Sequence, residues 1–282
     1  MTIWFSTNIP EMRAISTFNR VSTDISEIQQ RITTGQRINS GRDDPGGLII
    51  REGLRADIKN IHGTQAGMLQ AENMMSVASG GMMQLLELLV GSDTSNPSEA
   101  SLIGKLNSGS LSYAQMDTFA KDFLKLYDAA VNTTKYNNEK LLAGASPKTY
   151  RLGDGVGILT VTIGNLDSKT GVASKDLGDA ITTGISDEAS LKAVLDTAGA
   201  LQTAIAKEIG TLGSNQSIVA MNQRLLDSRL TSVVSAEGRI SNADIAVESS
   251  RMARAELLAQ NAMNSIMYTR NYAAFAVRSL FG

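Results

Sequence analysis

The feature that most restricts how this chain can fold is its last long stretch, Met252 to Leu280. Taken every three then four residues, it reads Met252, Ala255, Ala259, Ala262, Ile266, Thr269, Ala273, Ala276 and Leu280. That is a heptad seam built largely of alanine, and small residues on a long seam suit close, coiled-coil packing. Leu257, Leu258, Met263, Met267, Tyr272, Phe275 and Val277 lie off the seam, and Arg270 is the only charged residue between Leu257 and Val277. A helix apolar on nearly every side has to be buried on nearly every side. Chain ends ordinarily fray, so neighbouring copies are the expected cover. The expectation is a homopolymer of many copies with the chain ends at its centre.

A mate for this seam lies near the other end. Met12, Ile15, Phe18, Val21, Ile25, Ile28 and Ile32 follow one another at spacings of 3, 3, 3, 4, 3 and 4, which predicts a narrow-seamed helix. Its β-branched and aromatic side chains are the natural knobs for alanine holes. The C-terminal seam is therefore expected to meet Ile15–Ile32 of the same chain. Leu257, Met263, Met267, Tyr272 and Phe275 are left for neighbouring subunits, and Arg270 is expected to be lumen-facing or paired. Between Thr34 and Leu48, the run Gly35, Asn39-Ser40-Gly41-Arg42-Asp43-Asp44-Pro45-Gly46-Gly47 reads as a turn-rich connector. Its Gly41 and Gly46 are not followed by the Lys-Ser/Thr of a phosphate loop, so nucleotide binding is not expected.

Composition excludes most chemistry. Cysteine is absent, which removes disulfides, thiolate metal sites and cysteine nucleophiles. The single histidine, His62, sits in a helical run and reads as a solvated helix residue rather than a catalyst. No nucleophile–base pair, metal cluster or phosphate loop is legible, so neither enzyme activity nor a cofactor is expected. Net charge is -2, without the basic character that nucleic acid demands. Met1 to Pro10 lacks the pattern of a cleaved signal peptide, and no run of about twenty apolar residues offers a membrane span. No membrane insertion is expected.

The middle of the chain is helical at both ends. Leu54, Ile58, Ile61, Met68, Met74 or Met75, Met82, Leu86 and Leu89 predict a long helix up to Val90, its methionines gap-filling core and Gly80-Gly81 an interruption of the run that can kink it. Asn96-Pro97 reads as a helix start, and Ser112-x-x-Gln115 as a capping box for a helix with Met116, Phe119, Phe123, Leu126 and Ala130 on one face. The period then changes. Leu159 to Ile163 alternates strictly among glycines, predicting a β-hairpin with a second short pair up to Val172. Helix resumes near Asp187 with Leu191, Val194, Ala198, Leu201 and Ile205, and continues to Ile240. The fold class is mainly α: long antiparallel helices and a terminal coiled coil with a small β-hairpin region.

These residues carry a resemblance. Gln30-Arg31-Ile32-Thr33-Thr34-Gly35-Gln36-Arg37-Ile38-Asn39-Ser40, with Asp43-Asp44 and Gly47-Leu48, closely resembles the N-terminal signature of bacterial flagellins. Ser6 to Pro10 looks like that family's opening, and Asn132 to Asn137 with Lys140-Leu141-Leu142 resembles its lead into the β-hairpin. Arg239-Ile240, Asp244, Glu248-Ser249 and Met252 to Ala255 look like its C-terminal signature.

The resemblance implies a flagellar filament subunit for motility. It would be exported without a cleaved signal peptide by the flagellar export apparatus, escorted by an export chaperone, and stacked beneath a filament cap outside the cell. It further implies an inner-tube coiled coil of residues 1–42 plus 248–282. Residues 43–247 would be an outer-tube helical domain with its hairpin near 147–172, and large outer domains would be absent. Ile15, Phe18, Val21, Ile25, Ile28, Ile32, Leu257, Met263, Ile266, Met267, Tyr272, Phe275 and Leu280 are the expected coiled-coil and intersubunit residues. Arg31, Gly35, Arg37, Asn39, Asp43 and Asp44 form the connector motif.

The chain departs from the family pattern at Leu280-Phe281-Gly282 and around Leu88 to Ser110, where Pro97–Gly109 is expected to be an exposed insertion. Some members are read by an animal innate-immune receptor through a Gln-Arg pair. The matching place here is Gln84-Leu85, so weak receptor activation is expected. Ser and Thr near Thr94–Ser110 or Ser168–Ser174 are candidates for O-linked sugars. The runner-up reading is a hook–filament junction protein of the same export pathway. An enzyme or a membrane signalling bundle is the reading from another class, and lacks the residues it needs.

Overall fold

The computed structural model describes residues 9–91, 101–144, 148–151 and 157–281, and within these the side chains of all but residues 151, 172 and 272–281. Helices dominate: α1 (Ile9–Thr34), α2 (Pro45–Val90), α3 (Leu102–Asn107), α4 (Tyr113–Thr133), α5 (Val172–Thr183), α6 (Glu188–Ser241) and α7 (Ile245–Phe281). Four short strands, β1 (Lys135–Tyr136), β2 (Glu139–Lys140), β3 (Lys148–Arg151) and β4 (Ile158–Val161), pair antiparallel as β1–β2 and β3–β4. The chain divides into two compact units: residues 1–59 with 230–282, and residues 60–229.

In the first unit α1 lies antiparallel to α7. Glu11 meets Arg270 near one end, Val21, Ile28 and Ala255 share a buried cluster, and Gln36 forms an antiparallel bridge with Asn242 at the other end. Ile25, Ile32, Met252 and Ala259 pack against the same cluster. From Phe18 onward α1 buries the face its spacing predicts. Nearer the N-terminus it does not: Met12 and Ile15 are 60% and 41% exposed, and Glu11 and Ala14 take the inward places. The seam keeps a strict alternation of three and four, as a coiled coil requires, and the run of threes drifts off it.

The second unit has the larger core. Met68, Met74, Met75 and Met82 of α2 are almost fully buried, so these methionines are core fillers. They are joined by Leu102 and Leu106 of α3, Phe123 and Tyr127 of α4, Leu177 and Ile181 of α5, and Val194, Leu201 and Ile205 of α6. Gln65 donates to Asp227 at 2.7 Å and Gln223 to Glu72 at 3.3 Å, tying α2 to α6 along the surface.

Several sequence expectations are corrected here. α2 runs through Gly80-Gly81 without a break. Gly81 is needed for close approach instead, because a Cβ there would stand 2.6 Å from Thr134 and 3.2 Å from Leu142. The α4 stripe is Met116, Ala120, Phe123, Tyr127 and Val131, and Leu126 faces outward. Tyr127 can occupy the core because its hydroxyl donates to the Leu166 carbonyl at 2.9 Å. Burial, more than the Asp128 charge beside it, raises its pKa.

The second strand pair lies before the main hairpin rather than after it. β1 and β2 are joined by Asn137 and Asn138, whose φ of 50° and 65° make the two-residue turn that favours asparagine. After β4 the pairing ends, although Leu159, Val161 and Ile163 are buried alternately as expected, and α5 starts at Val172. In the stretch read as an exposed insertion, Leu102 and Leu106 are buried, and Ser101 accepts from Gly104 N–H to cap α3. The expected start at Asn96-Pro97 and the opening at Ser6 to Asn8 lie outside the described residues. The Ser112 box is present, with Ser112 N–H donating to Gln115 Oε1 at 3.0 Å.

A substitution tests the close approach in the second unit. Gly81→Ala is expected to lower unfolding free energy by about 1–3 kcal/mol, the usual cost of overpacking a core. Urea denaturation measures it; an unchanged midpoint would show that the Thr134 segment yields freely.

Candidate assembly interface

The connector motif folds into a clasp between the chain's two reversals in the first unit. Gly35, at φ +67°, turns the chain out of α1 in a left-handed conformation that glycine adopts most easily. Its carbonyl accepts from Ala243 N–H at 2.9 Å, and Arg37 N–H donates to the Ser241 carbonyl at 2.6 Å. The Arg37 guanidinium also donates to the Ile240 carbonyl from Nε and Nη2, at 3.3 and 3.0 Å. Thus the end of α6 loses its orphan carbonyls to a side chain and backbone more than two hundred residues away.

Asp43 organises the loop. Its Oδ2 accepts from the backbone N–H groups of Ser40 and Asn39 at 2.8 and 3.1 Å and from the Ser40 hydroxyl at 3.1 Å. Arg31 Nη2 stands 3.6 Å from Oδ1. The Ser40 backbone bond is the main cause that lowers the Asp43 pKa; burial opposes it, and Asn39, the Ser40 hydroxyl and Arg31 add further lowering. Asn39 Nδ2 donates to the Gln36 carbonyl at 3.0 Å. Asp44 then caps α2 by accepting from Gly47 N–H at 2.9 Å, with Pro45 at the first helical position. Asp244 does the same for α7, accepting from Ala246 and Val247 N–H at 3.0 and 3.2 Å.

Sequence reasoning missed the groups that brace this clasp. Arg51, 6% exposed, donates to the Ile38 carbonyl and to Gln36 Oε1 and pairs with Glu52 at 2.8 Å. Arg55 reaches Glu237 at 3.2 Å. A single arginine among apolar positions such as Leu48, Leu54 and Ile58 carries no periodic signal that would mark it. Glu248, noticed only as part of a signature, is also buried at 4%. It stands one heptad before Ala255, with Oε1 held by Arg251 at 2.7 Å and Oε2 without a hydrogen-bond partner.

Of the expected interface residues, Val21, Ile25, Ile28 and Ile32 belong to the α1/α7 cluster, and Phe18 and Ile266 are half-buried. Leu257, Met263 and Met267 are 61%, 52% and 54% exposed, off the seam as the spacing predicts, and Ile15 joins them outside it. Arg270 is paired, its Nε 3.8 Å from Glu11 Oε1. Tyr272, Phe275 and Leu280 lie outside the described side chains. In the second unit Leu85 is fully buried, so Gln84-Leu85 is not a surface pair. Ser168 and Ser174 are also buried, which removes them as exposed sugar acceptors. Groups of His, Cys, Asp and Glu able to hold a metal are absent among the described residues.

The Asp43 contacts set a pH dependence. Its folded-state pKa lies below the ordinary carboxylate value of about 3.9, so its stabilisation is complete above that value and is lost as pH falls through the folded pKa. Between neutral and strongly acidic pH, the wild-type chain should lose more stability than Asp43→Asn. Thermal unfolding at stepped pH checks this, and equal losses would contradict it.

A paired terminal seam, a clasp at the chain reversals and exposed apolar flanks are thus brought together in the first unit. The family model of the bacterial flagellin N-terminal helical region matches residues 5–147, and that of the bacterial flagellin C-terminal helical region matches residues 195–270. Flagellin FljO of Caulobacter vibrioides is 25% identical over 281 residues, covering 98% of this chain and 97% of the relative. Flagellins of Listeria monocytogenes and Brucella melitensis are each 21% identical, covering 93% and 98% of this chain and the same shares of the relatives. Both ends of the chain match in order, and it belongs to the bacterial flagellin family.

Proposed function

We propose that this chain is the structural subunit of a bacterial flagellar filament, polymerising through α1 and α7 into a helical propeller for motility. The observation that carries this reading is the pairing of both chain ends into a helix pair whose flanks remain apolar and exposed. Family membership supplies the kind of polymer. The family is structural rather than enzymatic, and the relatives spanning the chain end to end bear the name flagellin, which favours the filament over a hook–filament junction protein.

The finer parts of the proposal rest on the resemblance. Residues 1–42 with 248–282 form the inner tube and 43–247 the outer tube, with the Gly35–Asp44 clasp beside the first boundary. The compact units themselves divide at Lys59 and Leu230. The intersubunit residues are Ile15, Leu257, Met263, Met267, Tyr272, Phe275 and Leu280, with Phe18, Val21, Ile25, Ile28, Ile32 and Ile266 holding the pair together. Export apparatus, export chaperone and filament cap are the partners before assembly, and the assembled subunit is extracellular. Among the described residues, no helix is long and apolar enough to cross a membrane.

Deleting α1 up to Thr34, or α7 from Ile245, tests the reading. Either truncation is expected to abolish seeded polymerisation, followed by sedimentation and electron microscopy, while the intact chain forms filaments. Polymerisation that survives both deletions would overturn it.

A further inference from the structure

The α1/α7 pair has two unlike sides. On one side, the residues directly before seam positions line a groove of about 490 Å³ together with the seam alanines: Arg13, Ala14, Thr17, Leu258, Asn261 and Ser265 are among them. The residues directly after seam positions point to the opposite side, at 100° per residue around each helix. There stand Met12 and Ile15 of α1 and Met263 and Met267 of α7, all between 41% and 60% exposed. One side is therefore a notch in which small Ala14, Thr17, Ala262 and Ser265 line the groove together with the larger Ile9, Arg13 and Leu258, and the other is a ridge of large apolar side chains. Both lie at the same height along the pair: Ile9 to Thr17 against Leu258 to Ser265 for the notch, and Met12 to Ile15 against Met263 to Met267 for the ridge.

We propose that the Met263–Met267 ridge of one copy seats in the Ala14–Ala262 groove of the next. This rests on the filament reading and says which faces meet. An open helical polymer needs a heterologous contact, in which two different surfaces of the same chain fit each other. The ridge and the groove are such a pair, and their equal height lets copies stand side by side pointing the same way, as a tube wall demands. A second copy is the occupant that family membership supplies. Unbranched methionine also adapts to small changes of its hole, so the contact tolerates slightly different packings. The same account explains why Met12 and Ile15 leave the seam: they complete the ridge.

The chain has no cysteine, so engineered ones report contacts cleanly. Met263→Cys and Ser265→Cys subunits, both altered at exposed positions, are mixed, assembled on wild-type seeds and oxidised by dissolved oxygen. Covalent dimers joining the two variants are expected in filaments. They should be absent when Met263→Cys is mixed with Ile15→Cys, because both then lie on the ridge. A second measurement needs no variant: peroxide oxidation of Met12, Met263 and Met267, read by mass spectrometry, should slow on the order of tenfold from monomer to filament, following loss of exposure. Filaments that form with unchanged oxidation, or with no excess of the Met263–Ser265 dimer over the control, overturn this contact and leave the filament reading standing. A wild-type chain that forms no filaments overturns both.

Discussion

Alanine facing isoleucine and valine in the α1/α7 seam is the contact on which the rest of the molecule's design depends. Small residues on one helix let the other come close, and the clustered Val21, Ile28 and Ala255 are the outcome. The same choice limits what the pair can bury. Alanine removes little apolar surface from water, and the larger side chains Met12, Ile15, Leu257, Met263 and Met267 stay outside. Two long helices held by so narrow a seam gain little of the burial that normally stabilises helices in proteins. In the proposed filament, additional copies supply further burial for these side chains.

The clasp gives this weak pair a fixed starting point. Gly35, Arg37, Ser241 and Ala243 exchange bonds across the two reversals, while Asp44 and Asp244 start the helices that leave them. A buried Arg51 braces the loop from below, using the Ile38 carbonyl and Gln36 as acceptors. Polar groups concentrate here because a sharp reversal leaves helix ends unsatisfied, and each must find a partner. In the second unit the reverse holds. Methionine and leucine fill a conventional core of almost fully buried side chains.

Long periodic stretches were legible in the sequence because burial on one face imposes a spacing, as in Val21 to Ile32 and in Met252 to Ile266. So were features with local chemistry, such as the Ser112 capping box and the alternation from Leu159 to Ile163. Reading failed where packing used residues that carry no apolar signal. Glu11 and Ala14 took the inward places that Met12 and Ile15 promised, and Tyr127 replaced Leu126 once its hydroxyl had a buried acceptor. Gly81 looked like an interruption of the α2 run but serves as a gap for Thr134. The Arg51 and Arg55 contacts join distant stretches, and single polar residues leave no period to detect.

The central claim is that the terminal helix pair is incomplete in one copy and completed by others. Amide hydrogen exchange of the same chain as monomer and as filament tests this most directly. The account predicts that amides between Ile15 and Ile32 exchange readily in the monomer and become strongly protected in the filament, while those of the Met68 to Leu89 core change little. Full protection of Ile15 to Ile32 in the monomer would contradict it.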